Sequence, residues 1–172
     1  MKLKQLLWVA CASLTSSSLM AQTCYDALTA TTDIANFTVS SNGLVQDKNT
    51  GLMWMRCSYG QTWESSTASC IGSPVQITWQ DALQLSVEAT FGGHTDWRLP
   101  NVKELATIVE KQCVDPSTNP TLFPATVAEN YWTATTVTGN ESAAWAVAFY
   151  NGKNNTKDKL LDLHVRLVRY AE

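Results

Sequence analysis

The residues whose chemistry best suits ligand binding lie together in one polar segment, residues 151–159. Ammonium and amide groups in this segment can donate hydrogen bonds to sulfate oxygens and to sugar hydroxyls. Its predicted ligand-binding residues are Lys153, Asn154, Asn155, Lys157 and Lys159. The same composition is also typical of a solvated hairpin tip, so both interpretations stay open for this loop.

A second polar loop, residues 137–142, is expected beside the first, because both connect to the strand that carries Trp145. Asn140 and Glu141 in this loop complete the set of predicted binding residues. Several tryptophans could stack on sugar rings, but their places in periodic elements are typical of core residues. These are Trp54, Trp79, Trp97, Trp132 and Trp145.

No arrangement of residues predicts catalysis or metal binding. The two histidines, His94 and His164, have no cysteine or carboxylate at the spacing of a catalytic triad or a metal site, and we interpret them as isolated surface residues. Glu129 and Asn130 offer a pair of oxygen donors, whereas Ca²⁺ takes roughly six to eight. We therefore predict no catalytic residue, no metal and no cofactor.

Asp96, Trp97 and Arg98 form a compact motif directly after a pair of glycines. A free Arg98 guanidinium would bind an anion or a sugar acid. We favour a structural role, in which a partly buried Arg98 bonds to backbone carbonyls or to a carboxylate, because buried polar groups need partners.

Helices are predicted on both sides of this motif. Asn101 and Glu104 have the spacing of a capping box, in which each side chain bonds to the backbone of the other residue. Apolar residues then recur at helical spacing, namely Val102, Leu105, Ile108 and Val109. Thr78 and Asp81 indicate a similar start for an earlier helix, which should end near Gly92.

Strands are predicted before and after the two helices. Residues 44–47 and 52–55 should form a hairpin whose loop ends in Gly51, a residue that tolerates the left-handed conformation. Residues 131–135, 144–150 and 165–169 are strand-like, and an Asn-Gly turn follows the middle run. Because no β-α-β pattern repeats, this order predicts an α+β fold in which two helices pack on a mainly antiparallel sheet.

The first 21 residues have the features of a signal peptide, with a basic start, an apolar stretch and the small-residue end Leu19-Met20-Ala21. Residues 22–172 would then form a single domain. Removal of Lys2 and Lys4 leaves 10 basic against 15 acidic residues, a formal charge of -5. This charge argues against nucleic-acid binding. No later segment has the roughly 20 apolar residues of a membrane span. We therefore expect an exported protein that is either periplasmic or extracellular, at the cell surface.

Four cysteines follow the signal peptide, and an oxidising compartment favours their pairing in disulfides. Four cysteines allow three pairings. We favour Cys57 with Cys70, which closes a short loop, and Cys24 with Cys113, which ties the N-terminal arm to the end of the second helix.

The order of these motifs resembles the Lcl C-terminal domain family, a bacterial family named for the C-terminal domain of the Legionella collagen-like adhesin. The motifs that carry the resemblance are residues 49–54, 78–83, 96–105, 131–133, 144–145 and 165–169, within a match from about Phe37 to Arg169. The resemblance implies a surface recognition domain, since the named adhesin binds sulfated glycosaminoglycans. The element order is also similar to a C-type lectin-like fold.

The chain departs from these relatives in charge and architecture. It has no collagen-like repeat, its charge is acidic, and its cysteines do not follow the C-type lectin pattern. We therefore predict a non-enzymatic recognition or adhesion domain for a glycan or a surface protein, without predicting its oligomeric state. The alternatives are a structural subunit of an envelope or pilus assembly and an enzyme on a lectin-like fold. Formylglycine-generating enzymes resemble that fold but rely on cysteines late in the chain, whereas the last cysteine here is Cys113.

Overall fold

The computed structural model describes residues 21–172, which form mainly short antiparallel strands. The strands are β1 (Thr23–Cys24), β2 (Phe37–Val39), β3 (Leu44–Asp47), β4 (Leu52–Met55), β5 (Thr62–Glu64), β6 (Ser69–Ile71), β7 (Cys113–Val114), β8 (Asn130–Val137), β9 (Asn140–Ala148), β10 (Lys153–Asp158) and β11 (Val168–Tyr170). The helices are α1 (Trp79–Glu88) and α2 (Val102–Ala106), and a 3-10 helix covers Ile34–Asn36. Residues 1–20, which hold nearly all of the predicted signal peptide, lie outside the described residues.

The strands form four antiparallel sheets. The largest has the order β11-β4-β3-β2. Its β3–β4 hairpin has the predicted strands, and their register runs from Leu44 opposite Met55 to Asp47 opposite Leu52. The second has the order β10-β9-β8, and β1-β7 and β5-β6 form two small ribbons. Gly51 adopts a φ of 68°, which confirms its predicted role in the hairpin loop.

The predicted fold class is wrong. The residues 21–172 are mainly β, with helices of only 10 and 5 residues, and they do not form a C-type lectin-like arrangement of two helices on one sheet. The second helix ends at Ala106, although the apolar spacing extends to Val109. Ile108 and Val109 reach the core from tight turns after the helix, since their N–H groups bond to carbonyls three residues back. Apolar spacing alone does not distinguish such turns from further helix.

Several strands lack the apolar alternation that marks a strand in a sequence. The ribbon β5-β6 contains the sequences Thr-Trp-Glu and Ser-Cys-Ile, and β10 is wholly polar. Their backbone pairing, rather than burial of one side-chain face, makes them strands. This is why the sequence underestimates the β content.

The core has two clusters of buried side chains. One includes Trp54, Tyr131 and Phe149, and the other includes Trp97 and Trp132. The core prediction for tryptophans holds for Trp54, Trp97 and Trp132, whereas Trp79 and Trp145 are half-buried. Tight packing is helped by the alanines of β9, which are buried beneath these large rings.

Both disulfides have the predicted pairing. Cys24 bonds to Cys113 across the β1-β7 ribbon, a sequence separation of 89 residues. Cys57 bonds to Cys70 in β6, a separation of 13 residues. The first disulfide therefore attaches the N-terminal arm to the body of the domain. The second closes a short local loop that includes the β5-β6 hairpin.

Candidate functional site

The predicted lysine segment begins with a tight turn against the core. Gly152 has a φ of 71°, and a Cβ atom built there would lie 2.7 Å from Cγ1 of Val109. Only glycine combines this conformation with such a close approach. The turn therefore fixes the start of the segment against the residues that follow α2.

The segment is a regular strand rather than a loop. Six consecutive residues of β10 pair with β9, from Lys153 opposite Ala148 to Asp158 opposite Ala143. β10 lies at the edge of its sheet, with β9 as its strand neighbour. Because successive side chains of a strand point to opposite faces, Lys153, Asn155 and Lys157 share one face.

Lys159, just beyond β10, is held by two contacts. Its Nζ lies 4.0 Å from the centre of the Trp79 ring and donates a hydrogen bond of 2.8 Å to the carbonyl oxygen of Glu141. The predicted residues Lys159 and Glu141 are thus brought together, although through the Glu141 backbone. Asn140 accepts a hydrogen bond of 2.8 Å from the Ser142 hydroxyl. The Lys159–Trp79 contact lies in a depression of about 430 Å³ whose rim includes the exposed Leu160.

The other predicted residues differ in how available they are. Asn155 turns inward and donates a hydrogen bond of 2.8 Å to Oδ1 of Asn130, so its amide nitrogen ties β10 to β8. Asn154 is exposed. Within residues 21–172, neither Lys153 nor Lys157 takes part in an ion pair. These two ammonium groups are therefore the positive charges of the segment that remain available to an anionic ligand. The segment also carries one exposed carboxylate, Asp158, which accepts a hydrogen bond of 2.9 Å from the Leu160 N–H.

In the Asp96-Trp97-Arg98 motif, both charged side chains have partners within the domain. Arg98 donates two hydrogen bonds to Glu104, of 2.7 and 2.8 Å, and its guanidinium stacks 4.7 Å from the Tyr170 ring centre. Asp96 accepts a hydrogen bond of 2.7 Å from Arg169, and Trp97 is buried. The motif thus uses its charges on internal partners.

The predicted capping box connects this motif to α2. The Asn101 side chain accepts hydrogen bonds from the N–H groups of Lys103 and Glu104, and Glu104 in turn accepts one from the Asn101 N–H. Partial burial raises the pKa of Glu104, but the hydrogen bonds from Arg98 and Asn101 outweigh it and keep the pKa below its ordinary value. Glu104 therefore stays ionised and serves both the helix start and Arg98.

Sequence reasoning missed a buried carboxylate, Glu110. It is 3% exposed and accepts hydrogen bonds from the backbone and hydroxyl groups of Thr31 and Thr32 and from the Gln112 N–H. Burial raises the pKa of Glu110, but these hydrogen bonds together lower it to about 2. Its partners Thr31 and Thr32 are about 80 residues away in sequence, so no local pattern predicts this site.

The surface interpretation of His164 is wrong. The residue is 4% exposed, and its Nε2 lies 3.3 Å from a carboxylate oxygen of Glu129 and 3.1 Å from Nε2 of Gln76. Burial lowers the pKa of His164 by more than Glu129 raises it. The other histidine, His94, packs edge-on against Trp97, with ring centres 6.4 Å apart.

A small apolar cleft lies beside the Cys57–Cys70 disulfide. Its volume is about 120 Å³, and its lining includes Met55, Trp63 and Phe91. These side chains come from distant parts of the chain, and no sequence pattern joins them. Within residues 21–172, no three histidine, cysteine or acidic side chains are placed to hold a metal ion.

These features define a disulfide-bonded, mainly β domain with a basic strand at one sheet edge. The family model of the Lcl C-terminal domain matches residues 43–169, and the chain therefore belongs to the Lcl C-terminal domain family. No curated protein matched the chain. In the part of the chain that the structure describes, no helix is long and apolar enough to cross a membrane.

Proposed function

We propose that this protein is an exported, non-enzymatic recognition domain that binds an anionic glycan or an anionic protein at the bacterial cell surface through β10. The observation that carries the proposal is the pair of free lysines, Lys153 and Lys157, on one face of an edge strand. They belong to a domain whose formal charge without residues 1–21 is -5. A local basic edge on an acidic body attracts anionic ligands more strongly than the other parts of the same surface do.

The edge is also held in place before any ligand arrives. Asn155 bonds to Asn130, Lys159 stacks on Trp79, and Gly152 packs the preceding turn against Val109. A binding surface that is already ordered loses little conformational entropy when it binds. This supports a recognition role for β10 over that of a solvated hairpin tip.

Two further observations support export and a non-enzymatic role. The four cysteines after residue 21 form two disulfides, which persist in oxidising compartments. The same pairing leaves none of these thiols free for cysteine-based chemistry. The signal-peptide features of the first 21 residues favour the same location.

The test compares two double variants of equal charge change on a heparin column, with heparin as the anionic glycan probe. In K153Q/K157Q the free lysines of β10 are neutralised, whereas K103Q/K111Q neutralises two exposed lysines elsewhere. We expect the wild type and K103Q/K111Q to be retained at low ionic strength and K153Q/K157Q to elute earlier, because only the last loses the basic edge. Equal elution of the two variants would assign retention to overall charge and contradict the proposal.

A glycan column tests only one of the two ligand types, so an anionic protein probe is needed as well. Retention of the wild type on neither heparin nor an acidic polypeptide at low ionic strength would contradict anionic recognition altogether.

A second candidate function is a structural subunit of an envelope or pilus assembly. The exposed apolar residues Leu160, Leu161 and Val87 favour it, since Leu160 is 85% and Val87 80% exposed. Co-purification of a stoichiometric partner from the native envelope, abolished by L160S but not by K153Q/K157Q, would favour this candidate over the first.

A further inference from the structure

The backbone of β10 presents hydrogen-bonding groups along the open side of its sheet. Lys159 donates its N–H to the carbonyl of Ser142, which continues the β9–β10 register by one more pair. In an antiparallel ladder only every second residue bonds to the neighbouring strand. Asn155 and Lys157 therefore bond toward β9, whereas the N–H and C=O groups of Asn154 and Thr156 point away from it. At the start of the strand, the Lys153 N–H bonds to Oδ1 of Asn151.

Exposure agrees with this assignment. Asn154 and Thr156 are both exposed, and β10 has β9 as its strand neighbour within residues 21–172. The six pairs of β10 with β9 run without a bulge, and the strand contains no proline. Bulges and prolines are common devices that keep sheet edges from pairing, and this edge uses neither.

The charges on the edge select which strand could pair with it. Lys153 and Lys157 lie on one face four residues apart, a span of about 13 Å at the rise of a strand. Asp158, the acidic residue at the end of β10, lies on the opposite face. A second copy of β10 would bring lysines near lysines, and like charges on neighbouring strands are destabilising. A strand with acidic residues four apart would instead place opposite charges across the new ladder.

From this geometry we infer that β10 accepts an extended acidic polypeptide segment as a fourth strand of the β8–β10 sheet. Main-chain hydrogen bonds to Asn154 and Thr156 supply the pairing, and Lys153 and Lys157 select acidic side chains on the added strand. The inference rests on the proposed function and names its partner as a protein strand rather than a glycan. Because β10 is already a formed strand, the added segment is the part that must become ordered on binding.

The probe is a synthetic heptapeptide, Thr-Glu-Thr-Val-Thr-Glu-Thr, whose two glutamates lie four residues apart. Its matched control has the same side chains but carries N-methyl groups at alternate residues, which removes the main-chain donors of its pairing edge. Binding is measured by calorimetry at low ionic strength, and amide hydrogen exchange is followed across residues 151–159. A heparin oligosaccharide serves as the glycan arm.

Strand addition makes a specific exchange prediction. Saturation with the peptide should slow exchange of the Asn154 and Thr156 amides by at least about tenfold, because these N–H groups gain partners. The Asn155 and Lys157 amides already bond toward β9 and should change little. The N-methylated peptide should bind at least about tenfold more weakly than its parent.

A protein variant tests the same edge. T156P removes an outward N–H at an edge position where proline is tolerated, and T156V is its matched control. We expect T156P to weaken peptide binding at least about tenfold and T156V to leave it nearly unchanged. The exchange and N-methyl measurements use the wild-type protein, so they decide the question even if T156P fails to fold.

The outcomes separate this inference from the proposed function. Equal binding of both peptides without amide protection would overturn strand addition and leave recognition by lysine side chains standing. Binding of the heparin oligosaccharide alone, lost in K153Q/K157Q, would overturn the acidic-strand partner in favour of a glycan. Binding of no probe would overturn both proposals.

Discussion

Glu110 and the β10 edge show two different uses of charge in one domain. Glu110 is buried, and donors from the N-terminal arm and from Gln112 surround its carboxylate. Lys153 and Lys157 lie on a sheet edge and form no ion pair within residues 21–172. The Glu110 charge stabilises the fold, whereas the charges of Lys153 and Lys157 remain available to a ligand.

This difference separates residues that maintain the structure from residues that could recognise a ligand. Arg98 belongs with Glu110, because both of its charged hydrogen bonds go to Glu104. Lys159 is intermediate, since it contacts Trp79 and a backbone carbonyl but forms no ion pair with an acidic side chain of residues 21–172. The contrast predicts that changes near Glu110 affect stability and that changes on β10 affect binding.

The largest effect should come from the disulfide of the N-terminal arm. Replacing Cys24 and Cys113 by alanine frees a loop of about 89 residues, and we expect a loss of about 4 kcal/mol in the free energy of unfolding. The matched C57A/C70A variant opens a loop of 13 residues and should lose less, about 3 kcal/mol. Urea denaturation measures both losses of unfolding free energy. An equal loss in the two variants, or a larger loss in C57A/C70A, would contradict the assignment of Cys24–Cys113 as the disulfide that stabilises the domain more.

Loss of the Glu110 charge should have the next largest effect. E110Q keeps the shape but places an amide against donors that need an acceptor, so we expect a loss of about 3 kcal/mol in unfolding free energy at pH 7. The exposed Glu141 provides the control, and E141Q should change stability by less than about 0.5 kcal/mol. Retention of folded E110Q on heparin should match that of the wild type.

The Glu110 carboxylate should also make the free energy of unfolding depend on pH in the acid range. Because the folded pKa of Glu110, about 2, lies below its ordinary value of 4.5, its stabilisation is present above pH 4.5 and is lost as the pH falls toward 2. E110Q should lack this part of the acid transition. An identical acid transition in E110Q and wild type would show that Glu110 is not its source.

His164 should produce a smaller loss of stability at a higher pH. Burial holds its folded pKa below the unfolded value of about 6.5, so the unfolded chain binds a proton more readily. Stability should therefore be constant above that pH and decrease as the pH falls below it. Thermal denaturation from pH 7.5 to 5 measures the slope, which H164Q should reduce. An unchanged slope would assign the effect to another group.

The smallest effect on stability is expected from the β10 lysines. K153Q/K157Q should change the unfolding free energy by less than about 0.5 kcal/mol, because neither side chain forms an ion pair within the described residues. Urea denaturation run beside the binding assays provides the comparison. A loss of 2 kcal/mol or more, on the order of a buried charge, would mean that these lysines maintain the fold as Glu110 does.

Local features of the structure could be predicted from the sequence. The Asn101–Glu104 capping box and the Gly51 loop each depend on residues close together in the chain, and both are present. The disulfide pairing could also be predicted, because four cysteines permit few combinations. In each case the chemistry of the residues restricts the geometry strongly.

Features that depend on distant contacts could not be predicted. Glu110 meets Thr32, which lies 78 residues earlier, and His164 meets Gln76 across 88 residues. The sequence predicts a loop at β10 because its polar residues show no buried face, and only its pairing with β9 makes it a strand. Composition points to its lysines, but the turning of Asn155 toward Asn130 follows from the sheet.

The position of β11 affects the order in which the domain can fold. This strand pairs Val168 with Trp54 and Tyr170 with Leu52, so the largest sheet takes its outer strand from residues more than 100 positions later in the chain than β4. Pairing across more than 100 residues is slow because a long loop must close first. A nascent chain without β11 would leave one side of β4 unpaired beside buried Trp54. The largest sheet should therefore be completed only after residues 168–170 have been synthesised.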